Sequence, residues 1–586
     1  MCGIAGLIDL GAAPADMAPL LTALRHRGPD AQAFVRVGSL TLGATRLAVV
    51  GAAGGAQPMQ DEPSGITLVF NGEIYNAPAL RQQLAEQGHR FRSTCDTEVV
   101  LRAWVEWGPG TLDRLSGMFA LAIAERDGRR LVLARDPAGI KPLLVARLPD
   151  GRGLVFASEI GALLAHPAVS AELDLTAFAD LISVGHPLGA ASLFAGVDVL
   201  PAGHILEISW QGRLLIGTPR PFRRPYDCDV APIDAEDAVE TALEAAIRSH
   251  LQADEPVAVA LSGGLDSSLI AALAAESISS TAYRLRSYTV AASPEHPDAR
   301  AAAAVAAAIG TEHHLLTPSF DDYLAAVPET IAATRSPDLG AGPMFLLLCR
   351  RIAADTKACL NGEGADEMFG GYPSHVAALP TLASMEDGLR RARRSGLQPS
   401  DAALALIERV RRTASSGVEH FATMLAVNRA DQLERCHLDP VDQLSMAASL
   451  EMRVPYLEGS LRALVTALPT SLHHPTAPAG QKPLLRRIAR RRFGSRLAAA
   501  TGRAKLMMPD AAGDHAVTFA TMCERALART PWRHSALGVC FPTAKDFVTF
   551  ELFRRICIEG QGRRSDLPSI RDLLAELSGR RRRALA

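Results

Sequence analysis

Cys2, followed at once by Gly3, stands directly behind the initiator methionine. A small second residue lets cells trim the initiator, which leaves a thiol and a free α-amine on one residue. With a reference pKa near ~7.7–8.0, such an amine is partly unprotonated at neutrality and can take the proton of its own thiol. The alternative is a small apolar residue on a buried first strand. A second reactive group lies in PVAVALSGGLDSSLIAALAAE, where a buried-type strand runs into Ser262-Gly263-Gly264-Leu265-Asp266-Ser267-Ser268 and then a helix. Bare glycines let backbone N–H groups approach an anion, the serines add hydroxyl donors, and the helix start contributes its positive end. This is a phosphate cradle, and it lacks the GKS or GKT ending of the Walker loop. Asp266 would repel phosphate unless a divalent cation stood between them, so Mg2+ is implied. The alternative is a tight strand-to-helix turn. A third group, in ACLNGEGADEMFGGY, sets Glu363, Asp366 and Glu367 where carboxylates can converge on a hard cation, or where they merely charge a helix start. Lys482, in GQKPLLRRIARR, lies in a cationic run that is mostly surface charge, yet a lysine there can offset charge as pyrophosphate departs.

These groups need frames. The first two hundred residues read mainly as short β segments at 40–50, 66–75, 119–134, 154–157 and 204–216, with Asp127-Gly128 and Gln211-Gly212 at hairpin turns. APALRQQLAEQG and DTEVVLRAWVEWG read as helices ended by Gly88 and Gly108. After the proline-rich PRPFRRPYDCDVAP, alanine-rich helices alternate with short apolar strands such as 256–261, and AAAAVAAAIG reads as one of those helices. The boundaries drawn are 2–212 for the first domain, 213–235 for a linker, 236–510 for the second domain and 511–586 for a helical C-terminal extension. Within the extension, KDFVTFELFRRICIEG reads as an amphipathic packing helix.

A chain of 586 residues exceeds what one core supports, so two or more domains are expected. The net charge of −2 gives no reason to expect nucleic acid or a membrane as partner. Nine scattered cysteines without a CxxC pair fit reduced thiols in a cytoplasm. No charged and apolar leader opens the chain and no apolar run reaches about eighteen residues, so a soluble, unexported protein is expected. The terminal GRRRRALA reads as a solvated tail.

SGGLDSS resembles the pyrophosphate loop of the ATP pyrophosphatase family, which cleaves ATP between its α and β phosphates and adenylates a substrate. Cys2-Gly3-Ile4, with RHRGPD at 25–30, NGEIYN at 71–76, RDPAGIKPL at 135–143 and ASEI at 157–160, resembles a class II glutamine amidotransferase domain of the N-terminal nucleophile kind. The two in this order are similar to the glutamine-dependent asparagine synthetase family, over residues 2 to about 490. The resemblance implies an α+β N-terminal nucleophile hydrolase sandwich (αββα), then an α/β parallel-sheet ATP pyrophosphatase domain with a largely helical C-terminal part. It implies that Cys2 attacks the glutamine amide with its own amine as base, giving a thioester and ammonia. Asn71 and the Gly72 N–H would hold the oxyanion, Arg46 would grip the glutamine carboxylate, and Glu73 and Asp96 would surround its amine. Asp96 is also readable as the cap of a helix starting at Thr97, and Asn71 as a turn residue with Gly72. In the second half the resemblance puts ATP on Leu261, Ser262, Gly263, Gly264, Leu265, Asp266, Ser267, Ser268, Val290, Asn361 and Gly362. It puts Mg2+ on Asp266 and Asp366, and Glu363 and Lys482 near the reacting centre. SLEMRVPYLE at 449–458 resembles a family segment, a helix start that walls the site. An acyl-adenylate would then receive ammonia through an internal tunnel, sheltered from water.

Two stretches depart from the family pattern. ATRSPDLGAGPMFLLL stands where a threonine- and serine-rich acceptor segment is usual, and TGRAKLMMPD where a stretch like RxKxGF is usual. The first reading is therefore a ligase making asparagine from aspartate. The second is a secondary-metabolite amidotransferase for another carboxylate, and the third an amide-forming cyclase, whose relatives commonly lack the N-terminal cysteine. Substrates are glutamine, ATP and a carboxylate acceptor, and a homodimer is left open.

Overall fold

Strand Cys2–Asp9 is buried along nearly its whole length, because it lies inside a sheet covered on both faces. The computed structural model describes all residues except 12–15, 52–53, 127, 150, 223–233, 281–282, 476–479, 504–512, 536, 562–566 and 580–586. The first sheet has six antiparallel strands in the order Val197–Val199, Leu144–Arg147, Gly153–Ala157, Cys2–Asp9, Leu40–Arg46 and Ala31–Val37. A second antiparallel sheet runs Leu214–Ile216, His204–Trp210, Arg130–Arg135, Gly117–Ala124, Ile66–Ile74 and Met59–Asp61, with Arg220–Pro221 also paired to His204–Trp210. Ile4, Ile8, Leu42, Val69, Ala122 and Leu133 fill the space between the sheets. The helices Ala77–Glu86 and Asp96–Trp107 cover the second sheet through Leu80, Leu84, Val100 and Trp104, and Leu20, Leu21 and Phe178 cover the first. The result is the αββα sandwich. Gly88 and Gly108 close the two helices with φ of +95° and +55°, a region that glycine enters without strain.

The third sheet is wholly parallel, in the order Glu312–Leu316, Arg286–Val290, Ala258–Ala260, Ala358–Leu360 and Glu451–Arg453. Helices such as Leu265–Ser277, Pro297–Ile309 and Gly342–Ala353 connect and cover its strands. Among the described residues no helix is long and apolar enough to cross a membrane.

Four readings of the sequence change here. Strands Leu214–Ile216 and Arg220–Pro221 fall inside the stretch read as a linker, and their backbone groups are paired to His204–Trp210, so the sandwich continues past residue 212. Strand Leu40–Arg46 stops four residues before the expected end. SLEMRVPYLE is not a helix start lining the site: Glu451–Arg453 is the edge strand of the parallel sheet, Pro455–Leu457 is a 3₁₀ turn, and the helix begins at Gly459, capped by the Glu458 side chain. The helix Ala544–Phe553 is buried almost all round rather than amphipathic, because Phe550 and Phe553 pack on Phe178 and Phe194 of the first domain, with ring centroids 5.1 and 6.0 Å apart. Most of TGRAKLMMPD, Asp127 and the arginine tail lie outside the described residues.

Buried ion pairs cross between the halves. Asp442 accepts from Arg27 Nη2 at 2.7 Å and from Lys141 Nζ at 2.9 Å, and Arg135 meets Glu434 and Asp439. Arg27, Arg135 and Lys141 come from the RHRGPD and RDPAGIKPL motifs, so these strings serve the interface as well as the first site.

Candidate functional site

Residues of three strands and one helix start meet at Cys2. Register sets Cys2 opposite Arg46, and strand alternation puts Asn71 and Glu73 on one face of Ile66–Ile74. The Cys2 N–H donates to Asn71 Oδ1 at 3.1 Å, while Asn71 Nδ2 is buried with no hydrogen-bond partner. An amide N–H left unsatisfied in a protein interior is costly, so this donor is aimed at something that arrives. A side chain at Gly72 would run into the Met118 carbonyl, so the backbone beside Asn71 stays bare. Arg46 Nη2 donates to the Gly51 carbonyl at 2.9 Å. Asp96 is the first residue of its helix, not its cap, and its Oδ2 accepts from the Ile74 N–H at 3.0 Å. Burial pushes the Cys2 thiol up, while the Met1 amine and Arg46 pull it down. Burial, with Asp96 beside it, holds the Glu73 carboxyl well above the carboxylate range, and burial raises Asp96 as well.

Three residues here were not found in the sequence. Gln57 Nε2 reaches Cys2 Sγ at 3.4 Å and the Phe70 carbonyl at 3.0 Å. Arg27 Nε donates to the Cys2 carbonyl at 3.2 Å, and Arg453 of the second half lies 3.6 Å from Glu73. Met1 is itself buried, its amine 2.9 Å from the Leu47 carbonyl and 3.3 Å from Glu451 Oε2.

The second centre surrounds a cavity of about 430 Å³. Leu261, Ser262, Gly264, Leu265, Asp266 and Ser267 form one wall, and Val290, Asn361, Gly362, Glu363, Asp366 and Lys482 also face it. Ser262 N–H donates to Ser267 Oγ at 3.1 Å, which folds the loop back on its helix. Gly263 and Ser268 are not on the cavity wall. Gly263 has φ of +72°, and a Cβ there would lie 2.5 Å from the Ala302 nitrogen, so it fits the loop against the next helix. Ser268 Oγ is buried behind the loop without a partner. Lys482, set apart from the surface arginines of its run as a candidate beside the phosphates, is buried: its Nζ contacts Asp266 and lies 2.6 Å from Asp366 Oδ1. Two carboxylates from separate loops thus meet at one cationic point and supply the hard oxygen donors that Mg2+ takes.

Glu363 and Glu367 are joined by a residue the sequence did not single out. His437 Nδ1 lies 3.1 Å from Glu363 and Nε2 3.5 Å from Glu367, while the Tyr372 hydroxyl donates to Glu367 at 2.6 Å. Burial lowers the His437 pKa, but the hydrogen bond and charge of Glu363, then Glu367, outweigh it and raise it to about 9. The stretch that stands where a threonine- and serine-rich acceptor segment is usual lines the cavity with Thr334, Arg335, Ser336 and Asp338 and then with Leu339, Gly340, Ala341 and Phe345. The cavity continues between the halves along Pro142, Leu144, Leu193 and Val199 of the first domain.

The comparisons agree with this arrangement. The glutamine amidotransferase domain family model matches residues 1–216, and the asparagine synthase model matches residues 238–544. The chain is 31% identical over 506 residues to asparagine synthetase 3 (glutamine-hydrolyzing) of Bacillus subtilis, covering 80% of this chain and 81% of that protein. It is 31% identical to a putative glutamine-hydrolyzing asparagine synthetase of Mycobacterium tuberculosis, covering 80% and 82%. It is 32% identical to asparagine synthetase B of Escherichia coli, covering 64% and 65%. A sandwich with Cys2 on its first strand, a glycine–serine loop leading out of a parallel sheet and these likenesses along most of the chain agree: it belongs to the glutamine-hydrolysing asparagine synthetase family of ATP-dependent carbon–nitrogen ligases.

Proposed function

We propose that the chain makes asparagine from aspartate, with Cys2 as the glutaminase nucleophile once Met1 is removed. The freed amine stays beside Asn71 Oδ1, which accepts one N–H and leaves the nitrogen lone pair for the thiol proton. Asn71 Nδ2 and the Gly72 backbone stabilise the oxyanion, Arg46 binds the glutamine carboxylate, and Glu73 and Asp96 hold its amine. In the second half the phosphate loop and Val290, Asn361 and Gly362 bind ATP. Asp266 and Asp366 would hold Mg2+, which supplies charge neutralisation on the phosphates when bound. Lys482 offsets charge on departing pyrophosphate, and Glu363 faces the acyl-adenylate.

One observation carries this reading: a single cavity touches the phosphate loop, the acidic loop of Glu363 and Asp366, and apolar residues of the glutaminase half. Apolar walls pass neutral ammonia and exclude the water that would protonate it or hydrolyse the adenylate. Incubation with glutamine, aspartate and Mg-ATP is expected to give asparagine, AMP and pyrophosphate. Release of ADP, or no turnover of any acid, defeats the proposal. The apolar wall at Leu339–Phe345 favours a second reading, a bulkier carboxylate acceptor, which a panel of acids separates from aspartate. A cytoplasmic site is proposed because all eight described cysteines are unpaired.

A further inference from the structure

We propose that His437 is a positioning residue for amide formation, holding the Glu363 carboxylate toward the acyl carbon while leaving adenylate formation untouched. This rests on the acyl-adenylate reading above. Both ring nitrogens face acidic partners: Nδ1 stands 3.1 Å from Glu363 Oε1, and Nε2 stands 3.2 Å from the Tyr372 hydroxyl and 3.5 Å from Glu367 Oε1. A ring so placed donates from both nitrogens and accepts from neither. The Tyr372 ring stacks on it at a centroid distance of 5.5 Å, and Tyr372 in turn donates to Glu367, which is fully buried. His437 is therefore fixed from behind, and its remaining freedom is spent on Glu363. Glu363, Tyr372 and His437 all face the cavity that holds the phosphate loop.

The backbone points the same way. His437 lies on Asn428–Leu438, a π-helix, whose extra residue per turn shifts where side chains aim. The next helix, Asp439–Ala447, carries Asp439 and Asp442, which the glutaminase domain grips through Arg135, Arg27 and Lys141. The docked domains thus help set the position of this ring.

In the step concerned, the ammonia nitrogen bonds to the acyl carbon and one of its protons passes to the Glu363 carboxylate. The carbon–oxygen bond to AMP then breaks, with its electron pair leaving on the phosphate oxygen. Adenylate formation needs no such proton transfer, so the two half-reactions separate the role of His437 from a general loss of fold.

The test uses the full-length enzyme with His437→Phe, which keeps a ring against Tyr372, and His437→Asn, which restores one N–H donor. Three activities are measured: acceptor-dependent ATP–pyrophosphate exchange, amide formation from ammonium chloride, and glutamine hydrolysis. For His437→Phe, exchange and glutaminase are expected within about threefold of wild type and amide formation down roughly a hundredfold, with His437→Asn recovering about tenfold. Parallel loss of exchange and amide formation, no loss of either, or no advantage of Asn over Phe overturns the proposal. Wild-type exchange supported by an acid other than aspartate changes the acceptor alone. Exchange supported by no acid overturns the adenylate reading and the role of His437 with it.

Discussion

Asn71 divides its amide in two: Oδ1 accepts from the Cys2 backbone nitrogen, and Nδ2 is buried without a hydrogen-bond partner. Replacing it with alanine is expected to lower glutaminase kcat by roughly 10²–10³, the usual effect of losing an oxyanion donor, while ammonia-driven synthesis is retained. Parallel assays with glutamine and ammonium check this, and equal losses in both would count against the oxyanion role. His437 gives a pH prediction. In the folded chain its pKa is raised to about 9, above the ordinary histidine value of about 6.5, so its stabilisation is complete below about pH 6.5 and disappears as pH rises through 9. The thermal midpoint of the wild type, measured against that of His437→Asn, should fall across that window. Cys2 and the glycine–serine loop stood out as candidates because their residue types suggest the chemistry, whereas Arg46 and Asn71 were suggested by the family resemblance, and the fold brings both beside Cys2. Gln57 and His437 were not, since a lone glutamine or histidine takes its meaning from partners that only folding brings near.

At the scale of elements, alternation and turn residues marked the strands Ile66–Ile74 and Gly153–Ala157 and the glycine-ended helices. The edge strand Glu451–Arg453 escaped notice because three residues give no period, and it is held by pairing to Ala358–Leu360 alone. The helix Ala544–Phe553 carries polar residues that suggested a wet face, and tertiary packing buries Thr549 and Glu551 among them while Lys545 and Asp546 stay half-buried. The turn from Ala258–Ala260 into Leu265–Ser277 depends on Gly263 twice, for its positive φ and for the approach of Ala302. Gly263→Ala is expected to cost about 1–3 kcal/mol from the left-handed backbone alone and more once the neighbouring helix shifts. Calorimetry should show the loss, and ATP–pyrophosphate exchange should weaken while glutaminase stays. An unchanged melting temperature would show that the loop is slack.

Across the whole molecule the two active halves are joined through charge as well as through apolar surface. Asp442 lies 415 residues from Arg27 in sequence, and no local pattern pairs them. Asp442→Ala strips a partner from two buried cations, so a loss of about 3–5 kcal/mol is expected from denaturant midpoints, at the lower end because Arg27 keeps Glu159. A further consequence follows from Met1, whose amine is enclosed by the Leu47 carbonyl and the Glu451 carboxylate. An exopeptidase cannot reach a first peptide bond that the second half has covered. At ~5–20 residues per second, the ribosome needs roughly 20–90 s to travel from the N-terminus to position 451, and that interval is the maturation window. On the proposed role of Cys2, a polypeptide that closes with Met1 still attached is expected to use free ammonium but not glutamine. Added aminopeptidase should leave the mass of such material unchanged until it is unfolded and allowed to close again.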